Sequence, residues 1–402
     1  MTREPEPKRY VIVGGGIGGL ATALTMASAG LPVTLLERVP VPADVGSGIA
    51  LHPNGLAVLY GLGLRDQLLA GSPRLLRTGT IGIGDHTYRI PIPDFGSGID
   101  HAFGLPRARL YRVLQEAIGA NDRVDVRFGH EVIGVSPDGR IEVRTDEGVY
   151  EIDADLVIGA DGVGSTIRAA GEFGARRTVT PSLALRALVP GDPFDGQEIE
   201  RWTPDGLLLG APLGDGVTYA ALCASRGPLR VAIANGDLPT IKELAARAMP
   251  AMGRALSSVG SFSELLVNPI TTVTCERWHD RGLALLGDAA HAMPPHLGQG
   301  ANSALLDAYV LTEELAREQS RAAAVARYAL RRRPGVTRVQ RIARAYQVIV
   351  EQGITPGVRP VRDLLARGAL SLSTRRSPVA AVSQEDPGKT YAAVRKLAGT
   401  AP

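Results

Sequence analysis

Short apolar runs and glycine-rich turns alternate at the start of the chain. Tyr10–Val13 is a β-branched run followed at once by glycines, which predicts a buried parallel strand. Ile17–Ser28 carries helix-forming apolar residues and ends before Gly30, so a helix is expected there. Residues 31–37 predict a second strand. A strand–helix–strand unit of about thirty residues is typical of the start of a dinucleotide-binding domain.

The hydrophobic pattern changes its period further along the chain. A helix is expected over 110–118. Strands are expected at Val124–Phe128, Glu131–Val135, 141–143 and 155–159. Alternation then predicts a second sheet, with strands at 184–189, 207–211 and 217–223 and a contribution from 78–91.

The C-terminal part returns to the first pattern and then becomes helical. Residues 283–286 predict a strand that rejoins the first sheet, and long helices are expected over 301–350. After about residue 372 the chain is rich in Ser, Arg, Pro and Lys. This composition predicts a mobile tail, apart from a short helix at 391–397. The nucleotide-binding domain is therefore expected to be discontinuous in sequence.

Composition excludes several classes of protein. The chain has 402 residues, of which 45% are apolar, and its net charge of +3 gives no argument for nucleic-acid binding. Its arginine-rich stretch, 317–344, predicts a solvated helix face. No 18-residue apolar run and no signal-peptide pattern occurs, so we expect no membrane span. Cys223 and Cys275 are too few for a disulfide framework or a zinc site, which predicts a cytoplasmic protein without a bound metal.

The turn between the first predicted strand and helix reads Gly14-Gly15-Gly16-Ile17-Gly18-Gly19. Gly14 allows a tight turn, Gly16 leaves room for a pyrophosphate, and Gly19 lets helix and strand pack closely. The helix N-terminus presents free N–H groups and a partial positive charge to the phosphates. Glu37 follows Gly19 by 18 residues and can bind ribose hydroxyls, and Arg38 can flank the adenine. Together these features predict a bound dinucleotide.

Two later strands end in acidic turns. Residues 155–159 lead into Asp161-Gly162, and 283–286 lead into Gly287-Asp288. An aspartate at the carboxyl end of a strand can hold a ribityl hydroxyl. Backbone amides of residues 298–302, at a predicted helix start, can stabilise negative charge on a reduced flavin ring. These turns indicate that the dinucleotide is a flavin.

In order and approximate spacing, these motifs resemble those of the flavoprotein aromatic hydroxylases (class A flavoprotein monooxygenases), the group that includes para-hydroxybenzoate, salicylate and 3-hydroxybenzoate hydroxylases. The resemblance covers residues 8–350 and includes Pro294-Pro295 after the third motif. Residues 46–54 are similar to the family segment beside the isoalloxazine ring. Residues 105–110 are similar to the segment whose arginine meets the FAD phosphate or ribityl region, which favours Arg107 over Arg109.

The resemblance implies an α/β fold, in which a FAD-binding Rossmann-like domain of the glutathione-reductase type carries an inserted mixed β-sheet substrate domain and C-terminal helices. We expect residues 1–75, 100–175 and 270–350 to bind FAD, 76–99 and 176–269 to bind substrate, and 351–402 to form a helical segment and tail. The resemblance also implies that NADH or NADPH reduces the FAD. Dioxygen then forms a C4a-hydroperoxyflavin that hydroxylates a small aromatic substrate. A monomer or homodimer is expected.

Five residues are expected near the reacting ring. By resemblance, the carbonyl of Pro295 faces the reacting oxygen. His52 and His296 lie in the two ring-side segments and could touch substrate, whereas His291 is expected to be structural. Tyr219 could orient a phenol or be a core tyrosine. Arg186 could lie near the domain junction or form an ordinary salt bridge. The residues expected to bind FAD are Gly14, Gly16, Ile17, Gly19, Glu37, Arg38, Gly48, Arg107, Asp161, Gly287, Asp288, Pro295, Gly298, Gly300, Ala301 and Asn302.

The expected substrate follows from the second sheet. Alternate residues of 207–211 and 217–223 should share one face, and these are apolar apart from Tyr219. Because no arginine stands in these two strands, we expect a neutral, apolar or polycyclic aromatic rather than a small benzoate. Two alternatives stay open, namely a flavin-dependent reductase or halogenase and a non-catalytic FAD-binding protein. Trp202 and Trp278 are isolated and do not form the Trp-x-Trp-x-Ile-Pro motif of halogenases.

Overall fold

The computed structural model describes residues 9–40, 47–83, 86–318, 320–351, 379 and 382–399. Its strands are β1 (Tyr10–Val13), β2 (Val33–Glu37), β3 (Gly48–Leu51), β4 (Thr78–Ile83), β5 (His86–Pro91), β6 (Phe103–Pro106), β7 (Val124–Phe128), β8 (Glu131–Val135), β9 (Arg140–Arg144), β10 (Val149–Asp153), β11 (Leu156–Gly159), β12 (Ala175–Pro190), β13 (Ile199–Trp202), β14 (Leu207–Gly214), β15 (Val217–Ala224), β16 (Leu266–Cys275), β17 (His279–Asp280) and β18 (Leu283–Leu285). Its helices are α1 (Ile17–Ser28), α2 (Pro53–Gly61), α3 (Arg65–Leu69), α4 (Arg107–Gly119), α5 (Thr166–Ala170), α6 (Gly227–Asn235), α7 (Leu238–Ala248), α8 (Pro250–Ser257), α9 (Asp288–His291), α10 (Gln299–Arg317), α11 (Arg321–Glu351) and α12 (Pro387–Leu397).

A six-stranded sheet, in the order β17-β18-β11-β1-β2-β7, carries the glycine-rich turn. Strand β1 pairs in parallel with β2 and β11, and β18 pairs in parallel with β11. Every residue of β1 and β11 is buried, as expected for parallel strands covered on both faces. The predicted bounds of β1, α1, β7 and β8 are confirmed, and so is the return of the strand near 283 to this sheet. The expected α/β fold is confirmed.

A seven-stranded sheet has the order β16-β12-β15-β14-β13-β4-β5. It contains the three predicted alternating strands and, as β4 and β5, the segment 78–91. One face buries Leu185, Leu208 and Leu222 against α6, α7 and α8. The sequence pattern did not predict these three helices, because the alternation on either side of them was the stronger local signal.

The described C-terminal residues pack against helices of the nucleotide-binding domain. In α12, Val394 is fully buried against α2, where a Cβ on Gly61 would lie 2.6 Å from it. The short helix expected at 391–397 is confirmed as part of α12. The expected mobile tail is wrong for residues 382–390, since Gln384 and Glu385 bond to arginines of α11, and residues 372–378, 380–381 and 400–402 lie outside the described residues. Across the described ranges, no helix combines the length and apolarity needed to cross a membrane.

Candidate active site

The three predicted turns meet at one edge of the six-stranded sheet. Strands β18, β11, β1 and β2 are neighbours in that order, and parallel strands end at the same edge of a sheet. The Gly14 N–H donates to the carbonyl of Leu36 at 2.8 Å, which joins the glycine turn to the end of β2. Asp288, Asp161 and Glu37 therefore border one cleft.

Three glycines shape the turn after β1. Gly14 has a φ of +105°, and a Cβ there would lie 2.6 Å from the carbonyl oxygen of Ala160. A Cβ on Gly19 would lie 1.9 Å from the Gly14 carbonyl oxygen, so α1 packs tightly against the turn. A Cβ on Gly16 would meet no atom of the described residues within 4 Å. The turn therefore has the geometry predicted for a pyrophosphate site, and the binding itself stays a prediction.

Glu37 ends β2 with its carboxylate turned toward the glycine turn. Its Oε2 accepts a hydrogen bond from the Gly15 N–H at 2.6 Å, and its Oε1 accepts one from the Val39 N–H at 2.8 Å. These two donors fix the carboxylate and leave further lone pairs for ribose hydroxyls. Arg38 is exposed beside it.

Asp161 has both a structural role and an oxygen without a partner. Its Oδ2 accepts from the N–H of Thr166, the first residue of α5, at 2.7 Å. Its Oδ1 is buried and has no hydrogen-bond partner in the described part of the chain, which fits a site for a ligand hydroxyl. Arg168 donates to the carbonyls of Val163 and Ala289, each at 2.7 Å, and so ties this turn to α9. Sequence reasoning missed Arg168, since its partners are visible only in the fold.

Asp288 begins α9 and faces the cleft. Its side chain is exposed, and Oδ1 lies 4.0 Å from the position that a Cβ on Gly300 would take. Desolvation by neighbouring protein atoms raises the pKa of Asp288, while the charges of His291 and Arg107 oppose the rise. The second and third motifs are thus brought together with the start of α10.

The structure separates the two candidate arginines of α4. Arg107 is exposed and lies close enough to Asp288 to influence its pKa. Arg109 is instead engaged in an ion pair, with Nη1 3.0 Å from Oδ2 of Asp215, and its Nη2 donates to the Gln67 carbonyl at 3.2 Å. This arrangement favours Arg107 as the residue that faces a cofactor.

A buried ionic cluster supports the Gly287 turn from behind. Oδ2 of Asp307 accepts from the Gly287 N–H at 3.0 Å and lies 2.5 Å from Nε2 of His291. Oδ1 accepts from Nε of Arg332 at 2.8 Å. Burial raises the pKa of Asp307, but His291 and Arg332 together lower it to about 2. His291 is structural as expected, whereas the solvated face predicted for the arginine-rich stretch is wrong for Arg332, which is 1% exposed.

Asn302 joins the two segments expected beside the flavin ring. Its Nδ2 donates to the carbonyls of Ala50 at 2.9 Å and Gly298 at 2.7 Å, and its Oδ1 accepts from the His52 N–H at 3.0 Å. Asn302 is the fourth residue of α10, so its side chain holds the first turn of the helix against the ring-side segment. The backbone N–H groups of this first turn are candidate donors to a flavin ring, and that contact stays a prediction.

The imidazole of His52 lies beside the loop that precedes α10. A Cβ on Gly298 would be 2.7 Å from its Nε2. Enclosure by the protein lowers the pKa of His52 to about 4, so the ring is neutral at pH 7. A substrate role for His52 stays a prediction, and this geometry is compatible with it.

Two other expected catalytic residues stand in the loop before α10. Pro295 is exposed, and its carbonyl accepts from the Gly298 N–H at 2.9 Å. The side chain of His296 has no accessible surface, and its Nε2 lies 2.6 Å from Oε1 of Glu351 at the end of α11. Contact between His296 and a substrate would require this pair to separate.

Cys223, His296 and Glu351 are a group of potential metal ligands, with ligand atoms within 4.8 Å of one another. Nitrogen and oxygen ligands lie about 2.0–2.1 Å from a zinc ion. In tetrahedral geometry, two such ligand atoms are therefore more than about 3 Å from each other. The 2.6 Å between His296 and Glu351 is shorter than that, and neither of these two atoms has a hydrogen-bond partner in the described part of the chain. We therefore interpret the two residues as a closely packed buried pair between the loop and α11, and not as ligands of one metal ion.

One face of the seven-stranded sheet is directed toward the cleft. Opposite residues of β14 and β15 on this face are Leu207 and Cys223, Leu209 and Ala221, and Ala211 and Tyr219. The predicted shared face is therefore confirmed. The Tyr219 ring packs on Gly48, where a Cβ would lie 2.7 Å from it, so this sheet touches the ring-side segment.

Arg186 reaches the same face from the neighbouring strand, β12. It stands opposite Ala221, and its Nη2 donates to Oδ1 of Asn268 at 3.3 Å. Burial raises the pKa of Tyr219, and the charge of Arg186 opposes that rise, which places the two side chains close together. Arginine is absent from β14 and β15, as the sequence shows, but β12 supplies one to the same face, so this absence does not by itself argue against a substrate with a carboxylate.

Comparison with known proteins bears on the same cleft. Residues 9–343 match the family described as FAD binding domain. A Rhodococcus erythropolis protein assigned as a 2-heptyl-3-hydroxy-4(1H)-quinolone synthase is 32% identical over 82% of this chain and 85% of its own. The 3-amino-4-hydroxybenzoate 2-monooxygenase of Streptomyces cremeus is 33% identical over 84% of this chain and 86% of its own. The solved tetrameric structure of 2-methyl-3-hydroxypyridine-5-carboxylic acid oxygenase superposes with a TM-score of 0.77 and 27% identity, covering 96% of this chain and 98% of that one.

Proposed function

Because the chain belongs to the FAD binding domain family and is a FAD-dependent aromatic monooxygenase, we propose that it hydroxylates a small aromatic molecule bound between the cleft and the seven-stranded sheet. The observation that carries this proposal is the convergence of three turns at one sheet edge, opposite an apolar sheet face. The similar proteins are named for a quinolone, an aminohydroxybenzoate and a hydroxypyridine. These names support a nitrogen-bearing aromatic substrate for this chain.

The residues of the cleft fit FAD. Open space above Gly16 suits the pyrophosphate, and the spare Oδ1 of Asp161 suits a hydroxyl of the cofactor. Glu37 and Asp288 supply carboxylates for ribose and ribityl hydroxyls, and the first amides of α10 supply donors for the ring edge. When bound and reduced by NADH or NADPH, FAD supplies the redox chemistry that activates dioxygen.

The side chains of the protein contribute binding, orientation and exclusion of water. Leu209, Ala211 and Ala221 offer an apolar surface to an aromatic ring. The Tyr219 ring, packed on Gly48, fixes the distance between this surface and the ring-side segment. Such a closed apolar site favours transfer of oxygen to the substrate over release of hydrogen peroxide, because water is kept away from the reacting atoms.

Stopped-flow absorbance of the purified FAD-loaded protein tests the proposal. We expect at least one member of a panel of phenols, quinolones and aminobenzoates to speed FAD reduction by NADH or NADPH about tenfold or more. The same compound should yield one hydroxylated product per NAD(P)H consumed, measured by mass spectrometry. If FAD is bound but no aromatic accelerates its reduction or is hydroxylated, the monooxygenase proposal fails.

Exchange of each α4 arginine for methionine distinguishes their roles. We expect Arg107→Met to weaken FAD binding by about tenfold, because one charge-assisted contact is lost, with the free energy of unfolding of the apoprotein unchanged. Arg109→Met should leave FAD affinity unchanged and lower the free energy of unfolding by up to about 1 kcal/mol, since Arg109 pairs with the exposed Asp215. FAD titration by fluorescence quenching and urea unfolding measure both quantities. The reverse pattern would assign the cofactor contact to Arg109.

A further inference from the structure

One row of the substrate-facing sheet has opposite charges at its two ends. Strand register places Arg186 of β12 opposite Ala221 of β15, and Ala221 opposite Leu209 of β14. Leu209 in turn stands opposite Glu200 of β13. Opposed residues point to the same side of a sheet, and strands are about 4.8 Å apart. Arg186 and Glu200 therefore stand about 14 Å apart at their backbones, with only a leucine and an alanine between them.

The acidic end contains a second carboxyl. Glu198 lies two residues before Glu200, just ahead of the first residue of β13, and the charge of Glu200 acts on Glu198. Burial and that neighbouring charge raise the pKa of Glu198 to about 7. Within the part of the chain that the structure describes, no hydrogen bond or ion pair is made by the Glu198 side chain. The Glu198 side chain is half-buried, so it stays partly accessible to a ligand.

Glu200 is held more firmly than Glu198. Its Oε1 accepts a hydrogen bond from Nε1 of Trp202 at 2.6 Å and another from the hydroxyl of Tyr346 on α11. His296 lies close enough for its charge to influence the pKa of Glu200. These partners fix one oxygen of Glu200 beneath the C-terminal end of α11. The acidic pair therefore consists of one positioned carboxylate and one carboxyl that is free to bind a donor.

The basic end is positioned in a comparable way. Arg186 donates to Asn268 through Nη2, so part of its guanidinium is held while other N–H groups stay available. Tyr219 stands on the next row of the same face, beside Ala211, and its charge-neutral hydroxyl lies near Arg186. The pocket thus offers hydrogen-bond donors at one end and acceptors at the other.

We propose that Glu198 and Arg186 select and orient the substrate, which is an aromatic ring system with an N–H donor at one end and a carbonyl or carboxylate at the other. This inference rests on the proposed monooxygenase function and makes it more specific. The N–H group binds the Glu198–Glu200 pair, the carbonyl or carboxylate oxygen binds Arg186, and the flat ring lies over Leu209 and Ala221. A ring held at both ends presents a single edge to FAD, so the pair also determines which carbon is hydroxylated.

We call the line from the Glu198–Glu200 pair to Arg186 the charge axis. Three bicyclic probes test the two ends of this axis separately. 4(1H)-Quinolone carries an N–H and a carbonyl at opposite positions of one ring. 4-Chromone has the same shape and carbonyl but replaces the N–H with oxygen, and 1,2,3,4-tetrahydroquinoline keeps the N–H without the carbonyl. Each probe is titrated into the FAD-loaded enzyme, and the change in flavin absorbance gives its Kd.

For the wild-type enzyme we expect 4(1H)-quinolone to bind about tenfold or more tightly than either other probe, because each of them leaves one buried polar group unpaired. Glu198→Met, which removes the acceptor oxygens, should abolish the preference for quinolone over chromone and leave chromone affinity unchanged. Arg186→Met should weaken quinolone and chromone alike, with no change for tetrahydroquinoline. Two exposed control substitutions, Glu151→Met and Arg176→Met, should change none of the three affinities.

The possible outcomes separate this inference from the proposed function. Equal binding of quinolone and chromone by the wild-type enzyme, or an unchanged preference in Glu198→Met, would overturn the charge axis while leaving a functional monooxygenase. If none of the three probes perturbs the flavin spectrum, the charge axis fails, and the broader panel of phenols, quinolones and aminobenzoates decides the monooxygenase proposal separately. The wild-type comparison stands even if a variant does not fold.

Discussion

The Arg332→Met variant is expected to lose about 3–5 kcal/mol of unfolding free energy, the largest stability effect that this structure predicts. Arg332 is 1% exposed, and its Nε donates to Asp307, which is itself fully buried. Methionine fills a similar volume but leaves the Asp307 carboxylate without its guanidinium partner. A buried charge that loses its partner costs more than the pair contributed, because it can no longer be solvated. Urea unfolding of the apoprotein measures the change.

The same cluster also supports the cofactor cleft. Asp307 accepts the Gly287 N–H, so disturbing the carboxylate shifts the turn that carries Asp288. We therefore expect weaker FAD binding in Arg332→Met as well as lower stability. Arg341→Met is the matched control, since Arg341 lies on the same helix with an exposed side chain. It should stay within about 0.5 kcal/mol of the wild type. Equal losses in both variants would contradict a specific role for Arg332.

Acid titration gives this prediction a second readout. The folded-state pKa of Asp307 is about 2, below the ordinary unfolded value of about 3.9. A depressed pKa contributes stability that is fully present above the unfolded value and is lost as pH falls toward the folded one. The unfolding free energy of the wild type should thus decline between about pH 4 and pH 2. This part of the decline should be missing in Asp307→Asn. An unchanged acid profile in that variant would show that Asp307 carries no such linkage.

The Gly16→Val variant is expected to lose FAD affinity by about 100-fold or more while its apoprotein stays folded. No atom of the described residues lies within 4 Å of a Cβ at this position. The φ of −71° and ψ of −179° are also accessible to any residue. Valine at the helix N-cap should cost the apoprotein no more than about 1 kcal/mol. The added methyl groups would instead occupy the space predicted for the pyrophosphate. FAD titration and urea unfolding of the apoprotein measure the two effects separately.

Two further glycines provide the comparison. Gly19→Ala should destabilise the fold itself, because its Cβ would lie 1.9 Å from the Gly14 carbonyl oxygen. Gly119 lies at the exposed end of α4, and no described atom is within 4 Å of a Cβ there. Gly119→Val should therefore leave FAD affinity unchanged and alter the free energy of unfolding only through helix propensity. If Gly16→Val binds FAD as tightly as the wild type, the pyrophosphate does not lie over this turn.

Sequence alone was sufficient wherever the determining interactions are local. The hydrophobic periodicity predicted the bounds of β1 and α1. The tight turn between them requires glycine at positions 14 and 19, because a side chain there would strain the backbone or collide with it. The three motifs predicted the family and the shared edge of the sheet, since the carboxyl ends of adjacent parallel strands coincide.

Tertiary structure decided everything that depends on which distant residues face each other. Arg332 and Asp307 are 25 residues apart, and nothing in the arginine-rich stretch marks one arginine as buried. Glu200 and Arg186 lie on β13 and β12, which are separated by two other strands, so only the register across these four strands shows that they border one surface. Local sequence determines the spacing of hydrophobic residues, the conformation of turns and the start of helices. The burial of a side chain and the pairing of charges arise instead from contacts between distant segments. The cofactor cleft was therefore predictable from sequence, whereas the charges that surround the substrate were not.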